Sequence, residues 1–399
     1  MKFPFSFLAL FTLLPFIFLA GCSDEPGYVG AGLLSPDGSL LVVDTTLFAA
    51  SDTVYSTPFA TGAGTNILVG TWNGYSAVAL INFATTYLAD SLGAARIDGA
   101  RIRLTNSYSW NIGTGQHNYV VRPVRALWTE SYVTRDSLNL IWSTLDNKCG
   151  SFSSTFAIGD TTTIMLDTAT ARRWMVNRPD STQFNGFLLQ DSLYSYAPSG
   201  PAVANGIIGF NAFNTSTPPH LIIDYTLGGI SYEMDVSSGG DAFLATGAIN
   251  NDPAFQPCLE TQAGISIRSR IQFDLNSIPK GAIINSAAFS ISAKDRNVGI
   301  GTPDSIIVFP SLSATNPDQM DESYYAFGGK TDTTGLTYSV SSPAFRGIVQ
   351  RWTTGYANNG LVIRSAADGY SIDRVLYYPA SEAATALRPQ LRIIYTKKK

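Results

Sequence analysis

Charge is scarce in this chain. Charged residues make up 14% of its 399 positions and the formal net charge is −4, against roughly a quarter charged in an ordinary soluble domain. The basic footprint that a nucleic-acid binder needs is missing. Histidine is nearly missing too, with His117 and His220 the two in the chain, and cysteine is limited to Cys22, Cys149 and Cys258. That leaves little material for metal clusters or for histidine-based catalysis. No HExxH, nucleophile elbow or Ser-His-Asp arrangement is visible. The thirty acidic residues offer many carboxylate pairs, but none is singled out for glycoside hydrolysis. The chain therefore reads as a non-enzyme.

What is abundant points to a folded, strand-rich protein. Hydrophobic residues reach 45%, with 22 Phe and 19 Tyr, enough apolar surface to offset chain entropy and to exclude disorder. The length allows two domains, each with a core of its own.

The N-terminus reads as an address. Lys2 precedes an apolar run from Phe3 to Leu19, interrupted by Pro4 and Pro15, and then comes Leu19-Ala20-Gly21-Cys22. Small residues before a cysteine suit a processing peptidase, and the tetrapeptide matches the lipobox of bacterial lipoproteins. The match implies a signal peptide over 1–21 and a lipid on Cys22. Cleavage would remove Lys2 and leave the chain one charge more negative. The competing reading is an uncleaved anchor, since the run is about as long as a minimal spanning helix, but the prolines and the lipobox suit a signal better. Ser23-Asp24-Glu25 does not look like an inner-membrane retention signal. It resembles the surface-export signal of some Gram-negative lipoproteins and reads equally well as the solvated start of a tether over 22–41. The expected location is the outer membrane, on the cell surface or on the periplasmic face.

The rest of the chain contains a diverged internal repeat. Pro219-His220-Leu221-Ile222-Ile223-Asp224-Tyr225-Thr226 parallels Pro389-Gln390-Leu391-Arg392-Ile393-Ile394-Tyr395-Thr396. In each, Leu, Ile and Tyr recur at every second position, as in a strand with one buried face. Arg173-Trp174 before Asn185-Gly186 parallels Arg351-Trp352 before Asn359-Gly360. Asn-Gly tolerates positive φ at both positions and predicts a turn followed by a strand. The predicted modules are 42–228 and 229–399, with Gly228-Gly229 as a flexible joint. Alternating segments such as Arg101-Ile102-Arg103-Leu104 predict strands throughout. The best helical candidates are short, 168–176 and 344–353, each just before a matched Trp, and read as single helices or turns capping the sandwich. The predicted fold is all-β, two tandem jelly-roll-like antiparallel β-sandwiches.

These blocks resemble the DNRLRE-type module, a β-sandwich family related to carbohydrate-binding modules and disaggregatase-related repeats. Phe273-Asp274-Leu275-Asn276-Ser277-Ile278-Pro279-Lys280-Gly281 and Val349-Gln350-Arg351-Trp352 with Asn359-Gly360 are similar to its motifs. So are Asp241-Ala242-Phe243-Leu244 and Trp128-Thr129-Glu130. The first copy departs by an insertion between Thr134 and Trp142, and the second has Met320 where the first Trp belongs. The N-terminal part, Gly30 to Thr71, also resembles uncharacterised Gram-negative surface lipoproteins. The resemblance implies polysaccharide binding, adhesion or structural display, with polysaccharide or neighbouring surface proteins as partners.

Several residues stand out as candidates. Trp72, Asn73 and Tyr75 surround an Asn-Gly turn and could stack on and bond a sugar ring, although a plain hairpin explains them too. Tyr108 and Trp110 form a second polar-aromatic segment, expected in a loop. Repetition at one architectural position marks Trp174 and Trp352 as core. Asp241 and Asp252 are candidates for a structural calcium ion, which prefers hard oxygen ligands; no other cofactor is expected. Cys149 and Cys258 lie in different modules and could form a clamping disulfide or remain free thiols.

Overall fold

The computed structural model describes residues 40–83, 90–113, 116–176, 184–192, 194, 205–331 and 336–398. The expected signal peptide, Cys22 and the tether as far as residue 39 lie outside the described residues. Leu40 and Leu41 already belong to the first strand.

The protein is all-β and antiparallel. In chain order the first strands are β1 (Leu40–Ser56), β2 (Asn66–Trp72), β3 (Tyr75–Phe83), β4 (Arg96–Trp110) and β5 (His117–Pro123). After helix α1 (Leu138–Ser143) come β6 (Gly150–Ser154) and β7 (Thr161–Met165). After α2 (Thr168–Val176) come β8 (Phe187–Asp191), β9 (Gly206–Asn211) and β10 (His220–Leu227). The second series is β11 (Ile230–Thr246), β12 (Leu259–Gln262), β13 (Ile267–Phe273), β14 (Ile283–Asn297), β15 (Ser305–Pro310), β16 (Ala326–Lys330) and β17 (Thr337–Val340). Helix α3 (Pro343–Thr353) precedes β18 (Leu361–Ser365), β19 (Arg374–Tyr377) and β20 (Gln390–Lys398).

The strands form two ten-stranded sheets with the same pairing scheme. In the first, β11 joins β10 and β3, β10 joins β4, β4 joins β9 and β7, β9 joins β2, and β2-β3-β8-β5-β6 follow as neighbours. Raising every number by ten reproduces the pairings of the second sheet, with one substitution. The strand between β20 and β13, in the place that β11 holds between β10 and β3, is β1. The second sheet adds a β16–β17 ladder, where the first has the isolated Gly150–Leu166 bridge between β6 and β7.

Register shows the equivalence residue by residue. β11 carries a bulge between Ser238 and Gly240, opposite Phe83 and Asn82. β1 carries one between Ala49 and Ser51, opposite Phe273 and Gln272. The Ser238 amide donates to the Pro219 carbonyl at 2.8 Å and the Ala49 amide to the Pro389 carbonyl at 3.0 Å. Structurally, then, the first module runs from β2 to β11, and the second consists of β12 to β20 together with β1 from the other end of the chain.

The structure thus draws the line between modules away from Gly228-Gly229. Those two glycines, at φ +60° and +84°, make the two-residue turn of a tight hairpin in which Leu227 pairs with Ile230. They are no joint, because the strand they launch stays in the first sheet. Residues Asp44–Tyr395 form a single compact unit.

Both expected helices form, and their first turns are capped. Asp167 accepts from the Thr170 amide at 2.7 Å ahead of α2. The Ser342 hydroxyl accepts from the Phe345 amide at 3.1 Å ahead of α3, where Pro343 occupies the first turn. The first core gathers Val69, Ile81, Phe83, Ile102, Trp174, Phe187 and Leu221 among others. In the second module Phe273, Phe289 and Phe345 meet, edge-on or tilted.

A third core lies at the seam between modules. Leu68, Tyr108, Trp110, Ile207 and Phe243 of the first module pack with Ile265, Ile267 and Ile372 of the second. The Tyr108 hydroxyl donates to Asp373 at 2.8 Å, and the Trp110 indole N–H donates to the Asn297 carbonyl at 3.1 Å. Ser109 and Ile300 exchange backbone hydrogen bonds at 3.1 and 2.9 Å. A seam with its own apolar centre and these cross-module hydrogen bonds holds the two modules together.

Candidate functional site

The sequence candidates divide. Tyr108 and Trp110 are fully buried, so they are no sugar platform. They sit near the end of β4 and not in a loop, because that strand continues to the seam and buries its last side chains there. Trp72 and Tyr75 face each other across a hairpin whose turn is Asn73 and Gly74, at φ +46° and +86°. Trp110 meets both rings edge-on, Trp72 at 5.0 Å and Tyr75 at 5.8 Å between centroids. Trp72 is half-buried and Tyr75 buried, leaving Asn73 exposed.

Asn73 and Tyr75 nevertheless reach a polar cleft of about 370 Å³ at the seam, with Asn250, Asp252, Phe255 and Arg374 on its other walls. Arg374 donates to Asp295 at 3.1 Å and to the Tyr75 hydroxyl at 3.5 Å. Glu260, fully buried, accepts from the Asn250 amide at 2.7 Å. Burial pushes its carboxyl up to about 7, against the opposing pull of that amide and of Arg374.

The expected calcium pair does not form a cluster. Asp241 is buried on β11, with one oxygen on the Phe213 amide at 2.6 Å. Asp252 lies in the seam loop and accepts from the Ala254 amide two residues on, at 2.9 Å. Among the described residues no group of three or more His, Cys, Asp or Glu could hold a metal ion. The two cysteines are free thiols. Cys149 is buried in the first core, where burial pushes its thiol up to about 12. Cys258 takes weak hydrogen bonds from Asn250 and Gln256 at 3.8 and 3.5 Å. Non-covalent packing, not a disulfide clamp, holds the seam. His117 is buried and touches the Gly113 carbonyl at 3.3 Å, and His220 pairs with Asp235 at 2.5 Å on a strand. Neither has the second partner of a catalytic triad.

A different site was hidden by the repeat. Trp174 is buried, but its counterpart Trp352, at the same place in α3, is only half-buried. It forms a ridge between two clefts. The smaller, about 220 Å³, is walled by Asp321, Arg351, Tyr356 and Asn359. The larger, about 590 Å³, is walled by Gln272, Asp274, Asn276, Lys280 and Asn358. Arg351 is held flat between two exposed tyrosines, its guanidinium 3.9 Å from the Tyr324 ring centre and 4.3 Å from that of Tyr356, and it donates to Asp321 at 3.0 Å. This three-way grip fixes the Tyr356 ring at the wall of the smaller cleft. An indole ridge with amide, carboxylate and hydroxyl groups on both sides can stack on an apolar ring face and bond the hydroxyls around its rim. In the first module Arg173 pairs with Asp146 at 2.8 Å in the corresponding way, yet its neighbouring indole points into the core.

Fold and site together define a tandem antiparallel β-sandwich protein with aromatic-and-polar surface clefts. No family model and no curated protein matches the chain. Among solved structures, it aligns with the Macrobrachium rosenbergii nodavirus at 14% identity over 91% of each chain, with a TM-score of 0.16. It aligns with the C-terminal domain of the Streptococcus pyogenes antigen I/II-family protein AspA at 8% identity over 81% of this chain and 91% of that one, TM-score 0.14. Likenesses at that level carry no argument.

Proposed function

We propose that this is a lipid-anchored, non-enzymatic protein of the outer membrane, displayed on the cell surface, whose tandem sandwiches bind glycan. The lipobox at Cys22 and the resemblance to carbohydrate-binding modules motivate the anchor and the ligand class. The single observation that carries the binding site is Trp352, an indole shared by two polar clefts and flanked by the Tyr324–Arg351–Tyr356 stack. Its place between the clefts suits an oligosaccharide laid across the ridge, one sugar unit on either side. The walls mix apolar surface with amide and hydroxyl groups, and their charges are of both signs (Asp321 with Arg351, Asp274 with Lys280), which suits uncharged sugars better than a highly charged polymer.

A glycan array on residues 23–399 tests the reading. Binding should be found and should fall by about tenfold or more in Trp352→Ala, since a stacked ring is worth on the order of 1.5 kcal/mol or more. Tyr356→Ala should weaken it less. An array without a hit from the folded protein, or hits indifferent to Trp352→Ala, would overturn the assignment.

A further inference from the structure

We propose that β1 is a donor strand, able to leave its own second module and complete that of a neighbouring copy of this chain. The inference stands apart from the glycan reading and rests on the pairing scheme. The first module is continuous from β2 to β11 and ends with its own tenth strand. The second ends at β20 without one. The missing strand comes from the far end of the chain, as β1 lying between β13 and β20.

Nothing in that slot distinguishes the chain's own β1 from another copy's. β11 buries Ser238 and every residue from Gly240 to Ala245, whereas along β1 only Ala49 is buried. β1 is therefore held mainly by its backbone ladders, and strand addition of this kind accepts any chain that presents the same edge and bulge. Its side-chain ties are few. They are the Asp44–Arg392 pair at 2.6 Å, the Ala380 amide on Asp52 at 2.5 Å, the Tyr55 hydroxyl on the Pro317 carbonyl at 2.8 Å and the Ser56 hydroxyl on the Ile265 carbonyl at 3.0 Å. Val54 and Tyr55 are half-buried against the neighbouring cores. The β1 of a second copy carries the same side chains.

The hinge is also present. Immediately after β1, the Thr57 amide still bonds to Ser266 of the second module at 3.2 Å. Four residues on, the buried Thr61 hydroxyl is fixed on the first module, donating to the Phe243 carbonyl at 2.5 Å and accepting from its amide at 2.9 Å. Only Pro58, Phe59 and Ala60 lie between these anchors. Releasing Thr57, together with the Arg135 bond to the Ser56 hydroxyl at 2.8 Å and the Phe59 ring from Arg268, would let β1 swing out from an anchored Thr61. Because giver and receiver use different surfaces, the contact is head-to-tail and can either close reciprocally or extend into a chain.

Mixed cross-linking tests this on residues 23–399, which retain the whole Asp44–Tyr395 unit. Thr53 pairs with Arg270 across the slot. In a Cys258→Ser background, one preparation carries Thr53→Cys and the other Arg270→Cys, so no single chain can join the two positions. After co-incubation a few degrees below unfolding and mild oxidation, mass spectrometry seeks the disulfide-linked peptide joining positions 53 and 270. It should exceed, by at least about tenfold, the product of Thr53→Cys mixed with Arg103→Cys on the first module, because only strand donation aligns the first pair. Arg270 also bonds to the Ser313 and Ala314 carbonyls. A second pair, Ser51→Cys with Gln272→Cys, keeps the test open should Arg270→Cys weaken the fold. Yields equal to the control in both pairs would overturn the proposal.

Discussion

Asp241 carries a cost that pH can expose. One of its oxygens takes the Phe213 amide and the other has no hydrogen-bond partner. Burial, with the Glu130 charge adding to it, pushes the carboxyl up to about 7 from an ordinary 3.8. Between about pH 4 and about 7 the native state therefore keeps a proton that the unfolded chain releases, and stability falls as pH rises through that window. Glu260, raised to about 7 by its own burial, tilts the curve the same way. In Asp241→Asn the amide oxygen can still accept from Phe213. Urea midpoints of this variant should match the parent near pH 4 and exceed it at pH 8; a parent that gains stability on going from pH 5 to 8 would contradict the argument. Residue identity alone could not announce this. Asp241 reads as a metal ligand in sequence because nothing there tells that β11 is covered on both faces.

At the scale of elements, the alternating strands, two of the three α-helices among the described residues and the terminal-strand repeat were legible, because periodicity is a local property. The short α1 lies in the insertion after Thr134 and was not expected. The strand after each matched Asn-Gly was legible too, but the expected turn does not form: the backbone there is irregular, only the glycine of each pair has positive φ, and its role is a close approach. Gly186 at φ +104° and Gly360 at φ +95° pass so close to β3 and β13 that an added Cβ would lie 2.4 Å from the Ile81 carbonyl oxygen and 2.5 Å from that of Ile271. Gly281, at φ +76°, faces open space. Gly281→Ala should thus cost only the left-handed backbone penalty, about 1 kcal/mol. Gly360→Ala must also move a strand and should cost about 3 kcal/mol or more. Denaturant midpoints compare the two directly, and equal losses would refute the close approach. What the repeat hid was Trp352. Matching positions suggested matching burial, yet part of the smaller cleft beside it is walled by Pro310, Ser311, Leu312 and Asp321, from a segment where the copies have diverged.

The molecule as a whole departs most from what the sequence suggests. A cut at Gly228-Gly229 looks natural along the chain, but it would separate β10 from β11 and pair β1 with the wrong module. A fragment of residues 57–246 holds all ten strands of the first module, while residues 42–228 lack β11 and carry a β1 with no slot. The first should unfold cooperatively in urea and the second should not; cooperative unfolding of 42–228 would count against the module assignment. The seam was equally invisible. Tyr108 and Trp110 look like loop residues until Asp373 and Asn297, far along the chain, supply their hydrogen bonds.

The place of β1 also orders events during synthesis. Asp44 and Arg392 meet across 348 residues of chain, so β1 finds its place only after β20 has been made. Contacts of such long range form slowly. The first module, complete at β11, can be finished while the second is still being made, with β1 held waiting beside it. Until β20 has been made, a growing copy carries an undocked β1 and has no finished slot for it. A copy whose slot is complete before its own β1 has docked would accept the free strand of a neighbour.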